Sequence, residues 1–219
     1  MSALVSLAAI PKVPRTSGQR RYISSLRSAK PITLVTGPAG TGKTLFACQE
    51  AVSRFHQSDI DRIVITRPTV TVDESLGFLP GGVDEKMEPW MEPIYAILCD
   101  HFTHAQMQRM KERRVLEILP LGYARGRTFE RCMVLADEFQ NATVNQTRSL
   151  LTRMGPGSRM VVMGDVEQID LESGESGLVD LIKRLEGRPA LEYVECVAMG
   201  SEDVQRHPAV AEILGLYTA

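Results

Sequence analysis

Short apolar runs recur along the chain, bounded by glycine, proline and polar residues. Longer segments separate them, in which apolar residues return every three or four positions. The runs read as strands: Ile32–Thr36, Ile63–Thr66, Val115–Leu119, Cys132–Ala136, Met160–Met163 and Leu191–Cys196. The periodic segments predict a helix capped by Ser17 and running to about Ala29, a second from Thr44 to about Phe55, and one or two within 90–114. Further helices are expected over Thr143–Met154, Gly177–Leu185 and most of the tail Ser201–Tyr217. Cys132–Ala136 is apolar at every position, the pattern of a strand buried on both faces. Strands and helices alternate, so the expected fold is α/β: a mostly parallel β-sheet flanked by helices on both faces. Residues 1–16, with Pro11 and Pro14, read as a flexible N-terminal arm before a single core domain over 17–219. The stretch from Arg67-Pro68 to about Gly82 is rich in Gly, Pro, Asp and Thr, and a connection that long inside a compact domain is usually functional.

The first strand runs into Gly37-Pro38-Ala39-Gly40-Thr41-Gly42-Lys43-Thr44, a complete G-x-x-x-x-G-K-[ST] phosphate-binding loop, and a helix pattern follows. Such a loop turns several backbone N–H groups toward one phosphate, and the helix N-terminus adds partial positive charge. Lys43 is expected to reach the β- and γ-phosphates, and Thr44 to offer its hydroxyl to Mg²⁺. Two other strands end in polar clusters at the same, C-terminal, edge of the expected sheet, where ligands of parallel sheets bind. Met133–Ala136 ends in Asp137-Glu138. Asp137 is the expected Mg²⁺ holder and Glu138 the base that polarises the attacking water. Val161–Met163 leads into Gly164-Asp165 and on to Gln168, a neutral group suited to a γ-phosphate or water, with Asp165 in support.

Composition narrows the partners. Of 219 residues, 43% are hydrophobic and 24% charged, enough for a real core. The net charge of −2 announces no nucleic acid by itself. Residues 1–30, however, hold six basic residues and no acid, which leaves −8 for the remainder. That arm permits polyanion contact. Cys48, Cys99, Cys132 and Cys196 form no C-x-x-C pair. Three of them lie in apolar runs and read as core residues of a reducing compartment. The run Ala3–Ile10 lacks the flanks of a signal peptide, which predicts a cytoplasmic protein.

Leu135–Asn141 and Gly164–Asp170 resemble the second and third motifs of superfamily 1 helicase cores. With Gly37–Thr44, Arg67-Pro68, Leu76–Gly81, Pro120–Thr128 and Val204-Gln205-Arg206-His207-Pro208, the chain resembles the PhoH family of phosphate-starvation-inducible ATPases over roughly residues 17–217. That resemblance implies a RecA-like P-loop NTPase core, ATP-dependent activity with Mg²⁺, an association with RNA, and a hexameric ring. It also implies a minimal core, of the kind phages carry. Gln19 falls where related helicases keep a glutamine that reads adenine, although Thr16 replaces the asparagine usual three residues earlier.

Phosphoryl transfer gains roughly 10³–10⁵ in rate from an arginine finger. With one core domain, the expected source is a neighbouring subunit. Arg206 is the first candidate, and Arg127 and Arg125 follow. Arg109, Lys111, Arg113, Arg114, Arg125, Arg127 and Arg131 lie in one window and are candidates for phosphate contact, with Trp90 and Tyr95 as stacking faces or packing residues. Two function classes follow: an ATPase working on RNA or single strands, or a nucleotide-dependent assembly switch.

Overall fold

The computed structural model describes residues 12–68, 83–171, 174–207 and 209–210, and of 83–90 the backbone alone. Helix α1 (Ser17–Arg27) leads into β1 (Ile32–Thr36), α2 (Lys43–His56), β2 (Arg62–Thr66), α3 (Val83–Cys99), α4 (His104–Glu112) and β3 (Leu116–Ile118). The chain continues through β4 (Cys132–Ala136), α5 (Val144–Leu151), β5 (Arg159–Gly164), α6 (Gly177–Leu185) and β6 (Val194–Ala198). Short 3₁₀ turns stand at Leu121–Ala124, Phe139–Asn141 and Ser201–Asp203.

All six strands pair in parallel, in the order β3-β2-β4-β5-β1-β6. Successive strand residues face opposite sides, and both sides are apolar. Ile63, Ile65, Met133, Leu135, Val161 and Met163 face one layer, with Phe46, Ala47 and Ala51 of α2 and Tyr22 and Leu26 of α1. Val64, Val134, Ala136, Met160 and Val162 face the other, with Leu150 of α5 and Leu178 of α6. The unbroken apolar runs follow from this two-sided burial. β1 and β2 are successive strands, yet β5 and β4 stand between them. Chain direction therefore diverges from β1, and a crevice opens above the C-terminal ends of β1, β5 and β4. This is the RecA-like arrangement of a P-loop protein, with one strand between the loop strand and the acid strand.

Several boundaries differ from expectation for local reasons. Thr16, not Ser17, caps α1: its hydroxyl accepts the Gln19 N–H at 3.2 Å, and the Gln19 side chain returns to the Thr16 N–H at 3.4 Å. The last residue of the expected arm thus belongs to the folded part. The same T-x-x-Q capping box starts α4 at Thr103/Gln106 and α5 at Thr143/Gln146. β6 begins at Val194, where it pairs with Ile32, rather than at Leu191. The expected helical tail is not continuous: Val204–His207 is irregular, because the Gln205 N–H donates to the Gly40 carbonyl at 3.0 Å instead of coiling. Residues 1–11, the Leu76–Gly81 motif, Pro208 and the end of the tail lie outside the described residues. Cys48 and Cys132 are buried, Cys99 is half-buried and Cys196 exposed. Among the described residues, no helix is long and apolar enough to cross a membrane.

One buried carboxylate joins the two ends of the described chain. Asp203 is fully buried and accepts the Gly18 N–H at 3.0 Å and the Gly200 N–H at 3.1 Å. Burial alone would raise its pKa, but the Thr16 hydroxyl and these two N–H groups donate to the charged form and hold it below the usual carboxylate range. Asp203→Ala leaves both N–H groups unpaired, and a loss of about 2–3 kcal/mol in urea-unfolding free energy at neutral pH is expected. A depressed folded pKa contributes stability that is complete above the unfolded value, about 3.9. The wild type's advantage over Asp203→Ala should therefore hold near neutrality and shrink as pH falls through the folded pKa.

Candidate functional site

The loop after β1 is built around its backbone. Gly37, Gly40 and Gly42 all have positive φ, at 147°, 86° and 92°. Gly42 is the N-cap of α2 and supplies no side-chain cap, so the first-turn N–H groups of a 14-residue helix face the crevice without a side-chain acceptor. Lys43 Nζ folds back onto the carbonyls of Gly37 and Pro38. Burial lowers the Lys43 pKa, while Asp165, Glu138 and Asp137 act against that shift.

The ends of β4 and β5 meet this loop. Thr44 Oγ1 donates to Asp137 Oδ1 at 3.0 Å. The Asp137 N–H donates to the Thr66 carbonyl at the end of β2. Asp137 is buried; desolvation and the neighbouring Glu138 charge raise its pKa, and Arg67 and the Thr44 hydroxyl oppose them. Glu138 sits in the left-handed region (φ 51°, ψ 38°), a strained conformation for a residue with a side chain. Its carboxylate meets Arg67 Nη2 at 3.5 Å. Asp165 takes the Gln168 side-chain amide on Oδ2 at 2.9 Å and the Glu167 N–H on Oδ1 at 3.1 Å. Gly40, Lys43, Thr44, Asp137, Glu138 and Gln168 line a common cleft of about 250 Å³.

The loop is also held from behind. Gln19 is buried, and its Nε2 donates to the Thr41 carbonyl at 3.1 Å. Its Oε1 accepts the Arg15 and Thr16 N–H groups. In this structure the Gln19 amide therefore supports the cap and the loop. Tyr22, fully buried, donates its hydroxyl to the Lys43 carbonyl at 3.1 Å. Sequence reading missed Tyr22 and Asp203, because neither stands in a motif and their partners at Lys43 and Gly18 are distant in sequence.

Arg206 lies against its own loop. A Cβ placed on Gly40 would come within 2.7 Å of Arg206 Nε, so the Arg206 side chain lies directly against the loop at this glycine. Arg206 is exposed and meets no acid among the described residues. Within the chain, the Arg206 side chain therefore lies beside the loop of its own subunit. Arg127 is engaged within the chain. Its guanidinium grips both Glu117 oxygens, at 2.6 and 2.8 Å, and fixes the turn to the edge strand β3. Arg125 is exposed and pairs with no acid among the described residues.

The basic window does not form one surface. Arg113 and Arg114 precede β3 and Arg131 precedes β4, at the N-terminal edge; Arg125 follows β3 at the opposite edge. Arg131 is taken up by Asp61, at 2.8 and 3.0 Å. Tyr95 is buried beneath Lys111 Nζ, 4.2 Å from its ring, so it packs and presents no stacking face. The Trp90 side chain lies outside the described residues.

A profile of the family described as "PhoH-like protein" matches residues 12–218. A PhoH-like protein of Bacillus subtilis is 42% identical over 204 residues, covering 93% of this chain and 63% of that protein. A PhoH-like protein of Mycobacterium tuberculosis H37Rv is 40% identical, with 93% and 57% covered. Protein PhoH of Escherichia coli K12 is 38% identical, with 95% and 58% covered. The chain thus spans about three-fifths of the length of these relatives. Among solved structures, the Pif1 helicase from Candida albicans aligns over 86% of this chain and 40% of its own, at 15% identity and a TM-score of 0.41.

The Arg127–Glu117 pair is part-exposed, so its removal is worth only about 0.5–1 kcal/mol. Arg127→Ala should shift the urea midpoint slightly and leave nucleotide affinity and turnover near wild type. A large drop in turnover with stability preserved would restore Arg127 as a working cation.

Proposed function

We propose, from the premise that this chain belongs to the PhoH-like protein family, that it binds ATP with Mg²⁺ at the loop 37–44 and hydrolyses it. The coarser part is secure from fold and family: this is a P-loop nucleotide-binding protein with a RecA-like core. The observation that carries hydrolysis is the convergence of Lys43, Thr44, Asp137, Glu138 and Gln168 on one cleft, brought there from three different strand ends.

The residues divide the work as follows. The loop backbone and the α2 N-terminus receive the phosphates, and Lys43 exchanges its carbonyl partners for phosphate oxygens. Thr44 and Asp137 would hold Mg²⁺. The donor set fits that ion, since one carboxylate and one hydroxyl leave positions for phosphate oxygens and water. When bound, Mg²⁺ would neutralise charge on the phosphate oxygens. Glu138, beside Asp137, takes a proton from the attacking water. Gln168, steadied by Asp165, faces the γ-phosphate. Arg206, lying over Gly40, answers the charge that develops there.

RNA association, assembly as a hexameric ring and a cytoplasmic setting complete the reading. What supports the first is the exposed Tyr123 (61%) beside the exposed Arg125, on a turn anchored by buried Leu121 and Ala124, at the same sheet edge as the cleft. An aromatic face and an exposed cation on a fixed turn suit an unpaired base and its phosphate. The second reading, a nucleotide-dependent assembly switch, is favoured by the exposed apolar Val166 and Ile169 flanking Gln168, which suit a subunit contact.

ATP turnover measured with and without single-stranded RNA over a salt series separates these readings: stimulation that fades with salt supports the first, indifference to RNA the second. Lys43→Ala should lose ATP binding and turnover. Glu138→Gln should bind ATP and lose at least about 10²-fold in kcat. Arg206→Ala should lose about 10²-fold or more in kcat. Mixing Arg206→Ala with Lys43→Ala protein should restore nothing if Arg206 serves its own site; recovered turnover would return the finger to the neighbour.

A further inference from the structure

The turn Phe139–Asn141 follows the paired acids and takes no part in the chemistry above. Gln140 is 1% exposed. Its Nε2 donates to Glu138 Oε2 at 2.7 Å, and its Oε1 accepts the Asp165 N–H at 3.1 Å. One amide therefore spans the ends of β4 and β5. The next residue grips the same loop further along: Asn141 Oδ1 accepts the Asp170 N–H at 2.8 Å. Between these two anchors Asp165 holds Gln168. The approach is close: a Cβ at Gly164 would meet Leu178 Cδ2 first and would stand 2.8 Å from Gln140 Oε1 and 3.0 Å from Gln140 N.

We infer that Gln140 is a positioning residue, which aims the Glu138 carboxylate and ties it to the loop that carries Gln168. This rests on the proposed role of Glu138 as base. The Glu138 carboxylate is steered by Arg67 on one oxygen and Gln140 on the other. The Gln140 contact is the shorter of the two, and through the Asp165 N–H the same amide reaches the β5 end. A single buried side chain thereby sets the distance between the water-activating group and the γ-phosphate-facing group. Misplacement of a reacting group by about 1 Å is worth on the order of 10²-fold in rate.

The test is single-turnover ATP hydrolysis and ATP affinity for Gln140→Met, Gln140→Glu, Glu138→Gln and the two double variants. Gln140→Glu keeps the volume and the acceptor for the Asp165 N–H, and replaces the donor to Glu138 with a carboxylate oxygen. Both Gln140 variants should lose about 10–100-fold in the chemical rate, with ATP affinity within about threefold of wild type. In the Glu138→Gln background, either change should add less than about twofold, because the two side chains act as one unit. A full additional loss in the double variants overturns the inference, as does weakened affinity with an unchanged rate. Loss of nucleotide binding in both Gln140 variants assigns the amide a structural role and overturns it too. A wild type that hydrolyses nothing removes the proposed function and this inference together; additive losses on an active wild type remove the inference alone.

Discussion

A 3.0 Å hydrogen bond from Thr44 Oγ1 to Asp137 Oδ1 joins the start of α2 to the end of β4, across an intervening strand. It exists because β5 pairs with β1 on one side and β4 on the other, in registers that bring Thr36 level with Gly164 and Ala136 level with Val162. A parallel sheet buried on both faces has little freedom to slip, since a one-residue shift would turn every apolar side chain to the wrong layer. The spacing between loop and acid is therefore set by core packing and not by the site itself. The Gly37 N–H, which donates to the Gly164 carbonyl, and the Asp137 N–H, which donates to the Thr66 carbonyl, extend the same ladder into the site.

The second constraint comes from behind the loop. Gln19 and Tyr22 of α1 hold the carbonyls of Thr41 and Lys43, and the segment after β6 holds Gly40 through the Gln205 N–H. Asp203 fastens those two supports to each other through Gly18. The loop's glycines leave it pliable, and this clasp removes that freedom while leaving the N–H side open to the cleft. It also delivers Arg206 from the same chain.

Much of the architecture was legible in the chain. All six strands fall where apolar runs end in glycine or polar residues, and the two-sided burial of β4 was visible as five apolar positions in succession. The phosphate loop was legible because every residue that makes it acts locally, through its own backbone. Asp137, Glu138 and Gln168 were legible because each follows a strand on the edge where a parallel sheet places its ligands. The T-x-x-Q boxes at Thr16 and Thr103 are equally local. Less could be read where function depends on partners far apart in sequence. Arg127 and Arg206 look alike as arginines in polar segments. Glu117 takes up the first, and Gly40 leaves room for the second.

The sequence by itself determined the alternation of strand and helix, the loop that receives a phosphate, and the acids at the strand ends, because hydrophobic period and backbone conformation are short-range properties. Only the tertiary structure decided which arginine stands over the loop, that the basic window splits between two edges of the sheet, and that Gln140 joins Glu138 to the Gln168 loop. Those outcomes hinge on strand order and on hydrogen bonds between segments from 10 to 185 residues apart, and no local pattern encodes which of several chemically equivalent side chains will meet a given partner.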